Sequence, residues 1–145
     1  MSDAPQPFRP DRPSTPSNRE LAKRWFQEVW NERRPETVDE LFPAGSVGHT
    51  ESGDQGPAEF KAARAAFLEA FPDMRVEVED TAADGDHVVV RWTATATHRG
   101  ESLGMAATGR RVSFRGMTWL TFSNGVVVEG WDSWNLGALL ASLAG

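Results

Sequence analysis

The stretch richest in potential chemistry is VVVEGWDSWN, residues 126–135, in which a β-branched run carries Asp132 between Trp131 and Trp134. Carboxylates ordinarily stay in water, whereas tryptophans bury most of their area. Along a strand, Val126, Val128, Gly130, Asp132 and Trp134 share one face and Val127, Glu129, Trp131 and Ser133 the other; one bulge exchanges the sets. With the first face inward, Asp132 stands among apolar walls, beside a glycine that leaves room for a ligand. Desolvation there raises its pKa and makes it a better general base. With that face outward, Asp132 is an exposed residue ending a strand.

Arg91 lies in a strand between Val90 and Trp92. Turned inward it needs an anionic or carbonyl partner, which a ligand can supply; turned outward it is an ordinary surface charge. Trp25, Trp92, Trp119, Trp131 and Trp134 provide flat apolar area, as core or as the wall of a cavity for a planar polycyclic ligand. The three histidines, His49, His87 and His98, form no His-x-His or His-x-x-x-His pair, and cysteine is absent, so no metal site is expected. No G-x-S-x-G elbow supports serine chemistry.

The elements that must position these residues follow from pattern. Residues 1–17 hold five of the nine prolines and almost nothing apolar, which predicts a solvated tail ahead of one domain over 18–145. Ser17 or Asn18 can cap a helix whose Leu21, Trp25, Phe26, Val29 and Trp30 fall on one face, with Glu20 placed for a capping box. PETVDELF reads as a second short helix, and PAGSVGHTESGDQG as a loop. A third helix puts Phe60, Ala63, Phe67 and Phe71 on one side. The period then becomes alternating: MRVEVEDTAA, a turn at DGD, HVVVRWTATATHRG, TGRRVSFRGMTWLTF, a hairpin signal at SNG, and the final strand. LGALLASLA reads as a short C-terminal helix. Three helices and a four- to six-strand meander make an α+β fold, with helices on one face of a curved sheet and a cavity between them.

The net charge of −6 argues against nucleic acid as the main partner, even though GRRVSFR is locally basic. No apolar run reaches the length of a membrane helix and no signal-peptide pattern opens the chain, which predicts a cytoplasmic protein with no membrane partner.

The segment GPAEFKAARAAFLEAFPDMRVEVEDTAADGDHVVVRWTATATHRG, then TGR, then NGVVVEGWDSWNLGALLASL, resembles the SnoaL-like polyketide cyclases, or ester cyclases, of the nuclear-transport-factor-like cone fold. The resemblance runs from about Asn18 to Leu143. It implies a cone-shaped α+β barrel, no cofactor and no metal, a homodimer through the outer face of the sheet, and a small hydrophobic polycarbonyl or polycyclic ligand. It implies Asp132 as acid/base of an intramolecular aldol closure, with His49 beside the pocket rim as its helper. It places His98 at the Thr-His-x-Gly corner, lining the cavity or tying down the strand. Trp25, Arg91, His98, Trp119, Trp134 and Asn135 are the expected substrate-binding residues. Asn135 stands where many relatives carry an acid, which leaves Asp132 as the acid facing the right way. The absence of tyrosine excludes the tyrosine oxyanion hole of ketosteroid isomerases. Two other readings share the fold: a binding protein without turnover, and an epoxide hydrolase, which needs an inward arginine between two inward acids where Arg91 and Asp132 make only two members.

Overall fold

The computed structural model describes residues 16–144; the proline-rich tail expected over 1–17 lies almost wholly outside them. Helix α1 (Asn18–Trp25) starts as its sequence predicts: the Ser17 hydroxyl accepts the Glu20 N–H at 3.1 Å. It continues into a π-helical turn over Phe26–Asn31, then α2 (Glu36–Leu41) and α3 (Pro57–Ala70). Strands β1 (Val47–Thr50), β2 (Gly53–Gln55), β3 (Arg75–Asp84), β4 (His87–Thr97), β5 (Arg111–Ser123) and β6 (Val126–Trp134) form one mixed sheet in the order β2-β1-β6-β5-β4-β3. Helix α4 (Leu136–Ala144) follows. The class is α+β as expected, but the sheet is open, with β2 and β3 at its edges, rather than a closed barrel.

The segment read as a loop, residues 43–56, in fact supplies β1 and β2. β1 is only four residues long and runs parallel to β6, some 80 positions away, with Val47, Gly48 and His49 opposite Glu129, Gly130 and Trp131. A short glycine-containing segment has no alternation of its own to read; the distant partner makes it a strand.

Strand alternation divides the sheet into two faces. Val88, Val90, Trp92, Ala94 and Ala96 of β4 and Thr118, Leu120 and Phe122 of β5 are buried toward the helices, where Ala22, Val29, Val38 and Phe71 complete the core. On β6 the register shifts: Thr121 pairs with Glu129 but Phe122 with Val127, so Val128 bulges. The bulge exchanges faces ahead of it, turning Val127 inward instead of Val126 and Val128, while Gly130, Asp132 and Trp134 keep the inward face.

The FPD turn and THRG corner are tied together. Asp73 Oδ1 accepts the Thr97 N–H at 2.7 Å, and the Arg99 and Gly100 N–H groups donate to the Ala70 carbonyl at the end of α3. A Cβ on Gly100 would collide with the Glu69 backbone, so only glycine permits this approach. Among the described residues no helix is long and apolar enough to cross a membrane.

Candidate active site

A cavity of about 290 Å³ lies between the helices and the inner face of the sheet. Trp25, Trp30 and Phe60 from the helices and Trp92, Phe114 and Trp134 from the sheet make its wall predominantly aromatic. The rings interlock: Trp134 stacks on Phe114 at 5.1 Å and meets Trp92 edge-on at 6.3 Å, and Trp25 lies 5.2 Å from Phe60. A smaller recess, reached past Trp25, Thr118 and Asp132, extends to Gly130.

Asp132 opens onto this cavity. Opposite it on β5, Thr118 Oγ1 donates to Asp132 Oδ1 at 2.6 Å, and Trp92 Nε1 donates to Thr118 Oγ1 at 3.0 Å. The indole N–H occupies an acceptor position of the hydroxyl and so directs the hydroxyl proton at the carboxylate. Oδ2 has no hydrogen-bond partner among the described residues and is not sealed off, so it faces the cavity. Burial holds the Asp132 carboxyl above its usual range; the Thr118 bond acts in the opposite direction and only partly offsets it.

Gly116 shapes the same wall. An ideal Cβ there would lie 2.6 Å from Trp92 Cζ2 and 2.7 Å from Trp134 Cβ. The missing side chain lets both rings sit against β5.

Of the residues predicted from sequence, Asp132, Trp25 and Trp134 come together in the cavity. The others lie elsewhere. His49 alternates with Gly48 and Thr50 on β1, and these two turn inward, so its ring projects from the outer face. There Nδ1 meets Asp54 Oδ1 at 2.7 Å, Nε2 meets Glu129 Oε2 at 2.8 Å, and the ring stacks on Trp131 at 3.9 Å. Glu129 first and Asp54 second raise its pKa by favouring the imidazolium.

Arg91 and Trp119 are outward and exposed, Arg91 opposite Asp80 and Met117, and Trp119 donating to His87 Nδ1 at 3.3 Å. His98 is fully buried but ties the strand corner: its Nδ1 accepts the Thr108 N–H at 3.2 Å, and its backbone pairs with Gly109 and Arg110. Asn135 caps α4 by accepting the Ala138 N–H at 2.8 Å.

Sequence reasoning missed Arg64, Thr118 and Gly116. Arg64 falls four residues after Phe60 and three before Phe67, so a charge on an apolar helix stripe was its visible signal. Thr118 and Gly116 became readable only with the β5–β6 register.

A family model described as SnoaL-like polyketide cyclase matches residues 20–143. Among solved structures, AclR, a proposed hydroxylase from Streptomyces galilaeus, is 32% identical over 88% of this chain and 80% of its own, with a TM-score of 0.80. A proposed SnoaL-like polyketide cyclase from Jannaschia sp. CCS1 is 27% identical over 88% of this chain and 92% of its own, with a TM-score of 0.81. IdmH, a proposed polyketide cyclase from Streptomyces antibioticus, is 23% identical over 88% and 99% with a TM-score of 0.77, and supports the fold alone. None of the curated proteins matches. With nearly the whole described chain inside the family model, this protein belongs to the SnoaL-like polyketide cyclase family.

Proposed function

We propose that this protein is a cofactor-independent cyclase that closes a ring in a polycarbonyl substrate by intramolecular aldol addition, with Asp132 as acid and base. The observation that carries this reading is a carboxyl group oriented by Thr118 and Trp92, raised in pKa by burial, with one oxygen open to an aromatic cavity. Asp132 Oδ2 takes a proton from a carbon between two carbonyls. The enolate carbon attacks a second carbonyl of the same molecule, forming one C–C bond, and the resulting alkoxide takes a proton back from Asp132. No electrons leave or enter the substrate, so the step needs no redox partner. A carboxylate with its pKa moved toward neutrality suits both transfers better than a solvated one. The aromatic wall favours a folded, planar substrate over an extended one.

The test is turnover of a panel of aryl polycarbonyl acids and their methyl esters, followed by mass and NMR. Asp132→Asn should lower cyclisation by about 10² or more while leaving affinity within a few-fold. Products should carry no oxygen from labelled water. Undiminished turnover in Asp132→Asn removes the aspartate from the mechanism; label in the product transfers the protein to hydrolysis.

The reading includes a homodimer built on the outer face of the sheet. Trp119 and Trp131 pair directly across β5 and β6, and with Met117 and Val128 they are the exposed large apolar residues of the described chain. Light scattering should give a dimer for the native chain and a monomer for Trp131→Arg. A native chain that stays monomeric at high concentration rejects this part.

A further inference from the structure

Arg64 is the only cation among the described residues that line the cavity. It is 8% exposed, and its Nε donates to the Val29 carbonyl at 3.0 Å. That carbonyl belongs to the π-helical turn near the end of the first helix, where backbone oxygens need partners from outside. Capping it uses one donor of five. Neither Nη group makes a hydrogen bond or ion pair among the described residues, neither is fully inaccessible, and the residue lines the cavity. The charges that act on Arg64 are Arg33, of like sign, and Glu36, which makes no ion pair with it; Asp132 is not among them. Burial accordingly holds its pKa below the usual arginine value, the mark of a cation without adequate compensation.

A buried charge costs free energy unless something pairs it, and a merely structural cap for Val29 needs no cation. The cavity's other ionisable groups, Asp132 and Glu51, are both acids. An anionic group entering this cavity therefore has one favourable destination. The guanidinium fork also matches two oxygens in one plane.

We propose that the cavity takes an acidic ligand whose anionic oxygen, from a carboxylate or an ionised enol or phenol, docks on the Nη groups of Arg64. This rests on the reading of the cavity as a substrate site and names the substrate class: a polycarbonyl or polycyclic acid, not its neutral ester. Arg64 at one place and Asp132 at another then fix the orientation of a flat molecule that the aromatic wall alone leaves free to rotate.

The experiment is equilibrium binding to the full chain by tryptophan fluorescence. The probes are anthraquinone-2-carboxylate, its methyl ester, and 2-hydroxyanthraquinone above and below its phenol pKa. The native protein should bind the carboxylate at least about tenfold tighter than the ester, the scale of one hydrogen bond to a charged group. The hydroxy probe should tighten on ionisation if a phenolate serves as well as a carboxylate. Arg64→Met should erase the acid-to-ester preference and leave ester affinity within a few-fold, and Arg64→Lys should keep part of it. The guanidinium nitrogen signals of Arg64 should shift with the acid and not with the ester, a readout that stands if Arg64→Met does not fold. Equal binding of acid and ester, an unchanged preference in Arg64→Met, or failure of every probe to bind overturns the proposal. Asp132→Asn should leave the acid-to-ester ratio in place, so loss of the catalytic reading and loss of the anion anchor are separate results.

Discussion

Asp132 and His49 stand on adjacent strands, and His49 lies opposite Trp131, the immediate neighbour of Asp132. Both have raised pKa values, for opposite physical reasons. On the inner face, burial makes the Asp132 charge expensive, so its proton is held by what is missing around it. On the outer face, Glu129 and Asp54 make the His49 charge favourable, so its proton is held by what is present. In the proposed function the first group gives and takes a proton; the second sits in a clamp joining β1, β2 and β6 that favours its charged form. A raised pKa alone does not mark a base, and the face of the sheet separates the two cases.

The strongest way to break this contrast is to disturb the inner wall without touching a polar group. Gly116→Ala pushes a methyl group into Trp92 and Trp134. It should cost about 1–3 kcal/mol of stability, the usual scale of overpacking, and displace the indole that orients Thr118. Ser133→Thr adds a similar volume on the exposed outer face of β6 and should stay within about 0.5 kcal/mol. Chemical denaturation of the two variants makes the comparison; equal losses would mean that the inner face is no tighter than the outer.

Asp132→Asn sharpens it next. The neutral amide keeps an acceptor for Thr118 and removes the buried charge. The folded pKa of Asp132 is raised, so its stability is highest below the unfolded value near 3.9 and falls as pH rises through the folded value. Asn escapes that loss. The variant should match the native protein at about pH 3.5, assuming both stay folded there, and exceed it at neutral pH by roughly 1–3 kcal/mol, the scale of an uncompensated buried polar group. Thermal melts across pH decide; a variant less stable at neutral pH would show that the carboxylate is well solvated.

A smaller effect separates the two influences on Asp132. Thr118→Val removes the one hydrogen bond that favours the carboxylate and leaves the desolvation. The Asp132 pKa should rise further, and the acid limb of the activity profile should move to higher pH with it. A carboxylate NMR titration checks this without a substrate. An unchanged titration would assign the bond no weight.

The same contrast explains what could be read from sequence. The helices and β3–β6 were legible because each carries its own period, from the apolar stripe of Leu21, Trp25 and Val29 to the alternation of Val88, Val90 and Trp92. The SNG hairpin was legible because Asn124 and Gly125 adopt the positive φ values that such a turn demands. Asp132, Trp25 and Trp134 were found because an acid among tryptophans is unusual in any strand. His49 could not be placed, since β1 exists only by pairing with β6 and its face is set by that register. Arg91 and Trp119, expected to bind substrate, face outward instead, and the reason is the same: alternation says which residues share a side, not which side is covered. The Val128 bulge exchanged only the start of β6, so the prediction for Asp132 survived a register shift that corrected Val126 and Val127.

His49→Gln is the mildest test and the one most specific to the outer face. Gln can still bond to either carboxylate but carries no charge, so the variant isolates the contribution of the imidazolium between Glu129 and Asp54. Because the folded pKa of His49 is raised, its stabilisation is fully present below the unfolded value near 6.5 and is lost as pH rises through the folded value. The difference in melting temperature between native and variant should therefore be largest near pH 6 and shrink toward zero as the imidazole loses its proton. It should also shrink with added salt, since the clamp is solvent-exposed. Turnover should change less than about twofold, because His49 and the cavity lie on opposite sides of one sheet. A difference that grows with pH would give His49 the sign expected of a buried neutral histidine, and a large loss of turnover would return it to the chemistry of Asp132.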